Sequence, residues 1–516
     1  MTTTERLDGE VTEGRSGNKG LLMVGIGVGA AALIGGGAYA AINFMGGGGD
    51  QPDSVLPASA AVYARVDLDP SVGEKVAAVR FFQGLDTEAQ ARLDKGEWRE
   101  YVWEKLTEDG GVPADLSYEE DIEPWLGDRV GLAMVPDGDN EPLMAVAVQV
   151  KDGQKALATL DKIKAANEGK EADEQFGYYL DGDYVVLAKA DQVDAVKTSA
   201  DKGRLQDLEV YQSDTKDLGS TGIASYWADL KQMAQIDPDA YADATLGGAE
   251  GIADTIGAEK ALATGRSAGT VRLTPDAVEV FGITRGMEGI TMPTSKDSAH
   301  LVNQLPAETV AAFSVENGAE WVQMLWDFYG KQDPEGLQST VDAASEQGVT
   351  LPGDLKSLLG TSMSLSAGPG LVEAFSNMSG TDTSMPALPI AYRVQSDPEQ
   401  VNTFLESVGL PPTTLAQRTD DGVLTLGLHQ PYVDGVAAPQ GKLSDDATYR
   451  ASVADSEQAD FVFFVNVNEF EKDYLPSISD EKTRAALEKL NALGWSSVID
   501  NAADGHFTLR LVADSE

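Results

Sequence analysis

One apolar stretch near the start, Leu21 to Phe44, constrains this chain more than any other feature. It holds no charged residue. As an α-helix it would be about 36 Å long, enough to cross the roughly 30 Å hydrocarbon core of a bilayer with some tilt. No other segment approaches that length without a charge. The expectation is a single transmembrane helix at 21–44, with residues 1–20 a disordered cytoplasmic tail. Arg15 and Lys19 precede the span, while Asp50 and Asp53 are the first charges after it, so the large C-terminal part should face out of the cytoplasm. The small residues of Ala38-Tyr39-Ala40 leave a cleaved signal peptide as the alternative. The apolar run continues through Ile42 and Phe44, beyond a usual signal core, and favours a retained anchor. Gly25 with Gly29, and Gly27 with Ala31 and Gly35, form small-residue faces on which two spans could pack as a dimer. Compositional bias toward glycine is the simpler explanation.

The chain carries 84 acidic and 38 basic residues, a formal net charge of −46. Such a surface repels phosphate backbones, which excludes nucleic acid as a partner, and favours cations or basic proteins. Cysteine is absent, so disulfides, thiolate metal sites, cysteine nucleophiles and lipid-modified cysteine are all excluded. The three histidines, His300, His429 and His506, lie far apart and show no HExxH spacing. No catalytic, cofactor-binding or metal-ligating residue is assigned from the sequence, and no cofactor is implied.

After the span, the glycines at 46–49 and Asp50-Gln51-Pro52-Asp53 read as a flexible stalk, 45–53, reaching about 16 Å. Beyond it four landmarks recur in order. Leu56-Pro57-Ala58 leads into the strand at Val62 to Val66, and Leu305-Pro306-Ala307 into that at Ala311 to Val315. Asp121 to Met134 matches Asp354 to Ala367 without a gap, including Leu126-Gly127 on Leu359-Gly360. Ala147 to Val150, with the helix bearing Leu157 and Leu160, matches Ala391 to Val394 with Val401 and Phe404. Tyr211 before the strand at Ile223 to Trp227 answers Tyr449 before that at Phe461 to Val467. Each copy closes with a strand pair, ending at Val278 to Thr284 and at Phe507 to Val512. Leu-Pro starts an extended segment and Leu-Gly ends a short helix, while alternating apolar residues make half-buried strands. Asp152, and Ser396 or Asp397 before Pro398, cap the helix of the third landmark. Amphipathic helices are expected at Trp321, Met324, Leu325 and Phe328, and after the Ser71–Glu74 capping box. Strand pairs joined by short polar loops imply an antiparallel sheet. The fold class is therefore α+β: after the transmembrane helix come two tandem copies of a mostly antiparallel sheet domain with flanking helices, at 54–290 and 300–516, joined through 286–303.

Gly265-Arg266-Ser267-Ala268-Gly269 matches the G-x-S-x-G pattern of serine hydrolases, but that chemistry needs a strand before the serine, a helix after it and a histidine downstream. Here Thr270 to Leu273 reads as a strand and Pro275-Asp276 as a turn, and the second copy lacks the motif. Acidic clusters stand at Asp67 and Asp69, Glu119 to Asp121, Asp137, Asp139 and Glu141, Asp181 and Asp183, and Asp420-Asp421. None has the twelve-residue calcium-loop spacing, and hairpin turns favour such residues for backbone reasons. Trp98, Tyr101 and Trp103 share a helical spacing that fits core packing, with a carbohydrate platform as the alternative.

The opening Val66-Asp67-Leu68-Asp69-Pro70 and the run Asp121-Ile122-Glu123-Pro124-Trp125-Leu126-Gly127-Asp128-Arg129-Val130-Gly131 resemble a bacterial family of membrane-anchored proteins catalogued as a domain of unknown function. The resemblance covers most of residues 21–516 and implies an exported, anchored domain with no activity to carry over. The second copy departs from it at Asn317-Gly318 and at Leu358. Two functions remain open. One is a non-enzymatic envelope module that binds a protein, polymer or lipid. The other is a solute-binding receptor or enzyme with a pocket between the copies. The charge asymmetry around 21–44 gives a direct expectation: protease added to intact cells digests the chain beyond residue 46 and spares the tail before Lys19. A soluble form beginning at Ala41 would instead establish cleavage.

Overall fold

The computed structural model describes residues 50–68, 99–100, 116–138, 141–166, 175–220, 222–236, 264–274, 276–288, 291–294, 298–377, 387–469 and 487–513, with positions 475, 478, 481 and 484. The expected tail, span and glycine run, the Ser71–Glu74 box and the group Trp98, Tyr101 and Trp103 lie outside these residues. Among the described residues no helix is long and apolar enough to cross a membrane.

The first half opens with a 3-10 turn, Pro52–Ser54, and strand β1, Val62–Asp67. A π-helical turn, Tyr118–Ile122, precedes the hairpin of β2, Leu126–Val135, and β3, Leu143–Val150. Helix α1, Gly153–Ala166, leads to the hairpin of β4, Phe176–Asp181, and β5, Tyr184–Lys189. Then come α2, Val193–Lys202, and α3, Glu209–Leu218, followed by β6, Ala224–Asp229, and α4, Leu230–Ile236. The pair β7, Arg266–Leu273, and β8, Ala277–Arg285, closes the half.

The second half opens with a 3-10 turn, Leu301–Gln304, and β9, Ala311–Glu316. Helices α5, Gly318–Gln332, α6, Pro334–Glu346, and α7, Gly353–Leu359, precede β10, Ser362–Ala367. Helix α8, Leu371–Asn377, stands before β11, Ile390–Gln395, and α9, Pro398–Ser407, follows it. The hairpin of β12, Ala416–Asp420, and β13, Val423–Gly427, leads to α10, Gln430–Ala437, and α11, Ala447–Ser452. The half ends with β14, Phe461–Asn466, β15, Leu490–Ile499, and β16, Gly505–Ala513. As the spacing implies, Asp152 receives the backbone N–H groups of Gln154 and Lys155 at the start of α1, and Asp397 receives that of Glu399 in α9.

All the described strands join one antiparallel sheet, in the order β12-β13-β11-β10-β9-β14-β15-β16-β8-β7-β6-β1-β2-β3-β5-β4. Read outward from its centre, each half has the same order: the strand at the joint, its hairpin partner, the lone strand, the first strand, then two further antiparallel pairs. The expected pair of separate domains is thus a pair of half-sheets. Strand β16 pairs with β8 from Gly505 opposite Thr284 to Val512 opposite Ala277. Separate domains would leave two long edges, Val278-Glu279-Val280 and Leu509-Arg510-Leu511, open to pairing with other chains; joining them removes both. The first residues of the segment expected as the joint are fixed as well. Gly286 N–H donates to Asp504 Oδ1 at 2.9 Å and Met287 N–H to the Ala503 carbonyl at 3.0 Å.

Pairing refines the matches between halves. Gly131 pairs with Ala147, and Ser364 with Arg393. Val148 therefore stands level with Val394, where the sequence match had placed Val150. The slip is two residues, so every side chain keeps its face. It arises because β2 bulges between Leu126 and Val130. Leu-Gly also differs from expectation in the first half. Leu126-Gly127 begins β2 after a single π turn, whereas Leu359-Gly360 ends α7. What the two glycines share is a close approach: a Cβ on Gly127 would lie 2.6 Å from Gln149, and one on Gly360 2.3 Å from the Gln395 carbonyl.

On one face of the sheet, Tyr211 of α3 stands edge-on to Tyr63 at 5.7 Å and to Trp227 at 5.8 Å, and its hydroxyl donates to Asp53 Oδ2 at 2.7 Å. In the second half Tyr449 of α11 stands edge-on to Phe464 at 5.1 Å and donates to Asn303 Oδ1 at 3.0 Å. This tyrosine face holds the larger core of each half. It also corrects the stalk. Pro52 and Asp53 are buried, Gln51 Oε1 accepts from Arg65 at 2.7 Å, and the Asp50 carbonyl accepts from Tyr184 at 2.7 Å. Residues 50–53 read as solvated because they are polar, yet the buried donors of Arg65, Tyr184 and Tyr211 require acceptors there.

Gly360 has φ of 54° in addition to its contact with the Gln395 carbonyl. Gly360→Ala is expected to cost more than about 2 kcal/mol, because left-handed strain and a backbone clash add. Urea unfolding measures it, and a loss below about 1 kcal/mol would contradict the packing described.

Candidate functional site

Ser267 lies inside β7, with Tyr226 Oη at 3.2 Å as its partner. No strand-to-helix elbow surrounds it. Gly269 belongs to packing, since a Cβ there would meet the Tyr226 ring at 2.4 Å. The acidic clusters mostly occupy turns or ion pairs. Asp181 joins Arg204 at 2.8 Å beside the β4–β5 turn, Glu141 joins Lys189 at 2.6 Å, and Asp121 joins Lys162 at 2.8 Å. Asp420 pairs with Arg418 at 2.5 Å, and Asp421 takes φ of 49° in the β12–β13 turn. Asp67 faces Arg65 and Arg129 at 3.7 and 3.8 Å. Among the described residues no group of three or more histidine or carboxylate side chains could hold a metal ion. His506 Nδ1 lies 3.0 Å from Asp500, and His429 sits at the start of α10.

The second half contains something the pattern did not predict: strands whose polar alternation is buried while single large apolar residues are exposed. In β10, Ser362, Ser364 and Ser366 alternate with Met363, Leu365 and Ala367, which normally means serines in water and apolar residues in the core. Here the three serines are at most 2% exposed, while Leu365 is 45% exposed. Strand β9 likewise buries Ser314 and exposes Phe313, and Phe463 of β14 is exposed too. Phe463, Phe313 and Leu365 are directly paired neighbours, forming one apolar row across three strands. Helices α5, α7 and α9 cover the next level of that face, where Val315, Met363, Val394 and Val401 form a core with Trp321.

On the tyrosine face behind this row, Ser314, Ser364, Arg393 and Thr425 stand at one register level, all buried. Ser314 Oγ, Ser364 Oγ, and Nε and Nη1 of Arg393 have no hydrogen-bond partner in the protein. The flanking serines are satisfied: Ser362 donates to Glu316 Oε1 at 3.0 Å, and Ser366 lies 3.2 Å from the Tyr432 hydroxyl. The first half puts different chemistry at these positions. By register, Arg65, Asp67 and Arg129 occupy the places of Ser314, Glu316 and Ser362, and Gly131 and Ala147 those of Ser364 and Arg393. Arg65 there is held by Ser225 Oγ at 3.1 Å, the Gly222 carbonyl at 2.9 Å and Gln51.

Glu316 thus lacks the two arginines its counterpart Asp67 has. Burial pushes its carboxyl up to about 7, against hydrogen bonds from Ser362 and the His300 backbone that hold it down, and the negative charge of Asp460 adds to the rise. His300, which takes φ of 45°, is pulled below the usual imidazole value by burial. Sequence reading missed Glu316, Ser314, Ser364, Arg393 and the apolar row. The strict serine alternation of β10, beside an arginine in an otherwise apolar β11, was the available signal.

The described residues form an α+β body of two fused half-sheets, with its unpartnered chemistry in the second half. The chain belongs to the family described as "Protein of unknown function (DUF3352)", whose model matches residues 20–347. No curated protein and no solved structure matches it.

A carboxyl with a folded-state value near 7 and an ordinary value of 4.5 holds its proton more tightly in the folded protein. Its stabilising contribution is therefore complete below pH 4.5 and is lost as pH rises toward 7, by about 3 kcal/mol in all. Denaturant unfolding at pH 5 and pH 8 should show this loss in the native protein and much less of it in Glu316→Gln. Equal losses in both would assign the pH dependence elsewhere.

Proposed function

We propose that this is a single-pass, membrane-anchored protein whose folded part lies outside the cytoplasm and acts as a non-enzymatic interaction module. It engages the apolar surface of an envelope protein through the row Leu365, Phe313 and Phe463. The observation that carries this reading is the row itself: three large apolar side chains on adjacent paired strands, each more than a third exposed. Contiguous exposed apolar surface of this kind is a recurrent mark of a docking site. A net charge of −46 makes an anionic lipid surface a poor counterpart and a protein with a basic rim a good one. The continuous β8–β16 pairing works against the alternative of a solute or substrate pocket between the halves. The anchor rests on the uncharged run 21–44, and the family match includes it.

A photo-crosslinking residue at Phe313 in intact cells should give a discrete protein adduct that Leu365→Glu abolishes. Because both positions are exposed, the variants should unfold within about 1 kcal/mol of the native protein. A Phe313 adduct pattern matching that of a control position on α2, or one unaffected by Leu365→Glu, would defeat the proposal.

A further inference from the structure

We propose that Ser314, Ser364 and Arg393 form a binding site for a small oxyanion, a carboxylate or a phosphate group. The three residues are direct pairing neighbours on β9, β10 and β11, and their side chains share the tyrosine face. Alternation fixes that face independently, since Val394 beside Arg393 packs into the helix-covered core and Ala391 into the tyrosine core. All three are at least nine-tenths buried, with Arg393 6% exposed.

A buried guanidinium without acceptors is costly, because the desolvation of a charge is repaid only by close, hydrogen-bonded partners. Arg393 has Nε and Nη1 without a protein acceptor, and the partnerless hydroxyls of Ser364 and Ser314 lie one and two strands away at the same level. The acidic group acting on it is Asp420, already in contact with Arg418 at 2.5 Å. Four donor groups of net positive charge, gathered at one level and excluded from water, match the acceptor-rich geometry of an oxyanion. They do not match a metal ion or an amine.

The first half supplies an internal control. Its one arginine at this level, Arg65, is fully knitted to Ser225, Gln51 and Gly222, and the positions of Ser364 and Arg393 hold Gly131 and Ala147. The fold therefore does not need an arginine on its third strand. This proposal is independent of the docking row, which lies on the opposite face.

The test is thermal unfolding of the full chain in detergent, titrated with sodium acetate or sodium phosphate at ionic strength held constant by chloride. In the native protein at least one of the two should raise the midpoint saturably at millimolar concentration, and which one does identifies the carboxylate or the phosphate. Arg393→Gln should abolish the rise and, without added oxyanion, unfold no earlier than the native protein. Ser364→Ala keeps the charge and should raise the half-saturating concentration several-fold, which provides a readout if Arg393→Gln does not fold. No saturable rise with either anion, or an undiminished rise in either variant, would overturn the site.

Discussion

The pairing of β8 with β16 is the contact on which the rest of the molecule depends. Backbone hydrogen bonds alone would not distinguish this pairing from a slipped one, and the side chains fix it. Glu279 of β8, nearly buried, receives Arg272 of the neighbouring β7 at 3.1 Å and Arg510 of β16 at 2.9 Å. One carboxylate thereby clamps three strands at one level and belongs to both halves at once. A slip of one residue would send Glu279 and Arg510 to opposite faces and part this buried ion pair. Arg285, donating to the Gly505 carbonyl at 3.0 Å, secures the end of the same ladder.

With the two halves locked in register, their differences become comparable position by position. The first half places charge with its complement: Arg65 and Arg129 around Asp67, and Arg266 on Asp214 at 2.7 Å, which also accepts from Trp227. The second half keeps the framework and changes the chemistry. Its carboxyl has serines for neighbours, its arginine has moved two strands outward, and Ala64 gives way to Phe313 on the opposite face. The first half is built for consolidation, and the second retains buried donors and exposed apolar surface that folding alone does not require.

The sequence was most legible where local rules and tertiary context agree. The order of the described strands in each half, and the caps at Asp152 and Asp397, follow from periodicity and turn chemistry. The fusion of the halves was not legible, because a strand bound for a shared edge and one bound for a solvent edge have the same alternation. The stalk was misread at residues 50–53 for a related reason: polarity shows that a residue needs partners and leaves open whether water supplies them. The site was least legible of all. Ser362, Ser364 and Ser366 obey the alternation rule, and the rule assigns them the wrong side, because helix α10 and the turn at Leu301–Gln304 shelter the serine face.

The place where the chain enters the sheet has a mechanical consequence. Strand β1 is flanked on both sides, by β2 and by β6, and the turn before it is tied down through Asp50, Gln51 and Asp53. Tension arriving from the N-terminal side runs along β1, perpendicular to its hydrogen bonds, so that two whole ladders resist together instead of opening one rung at a time. A body tethered at this end transmits pulling force to its interior without peeling from an edge.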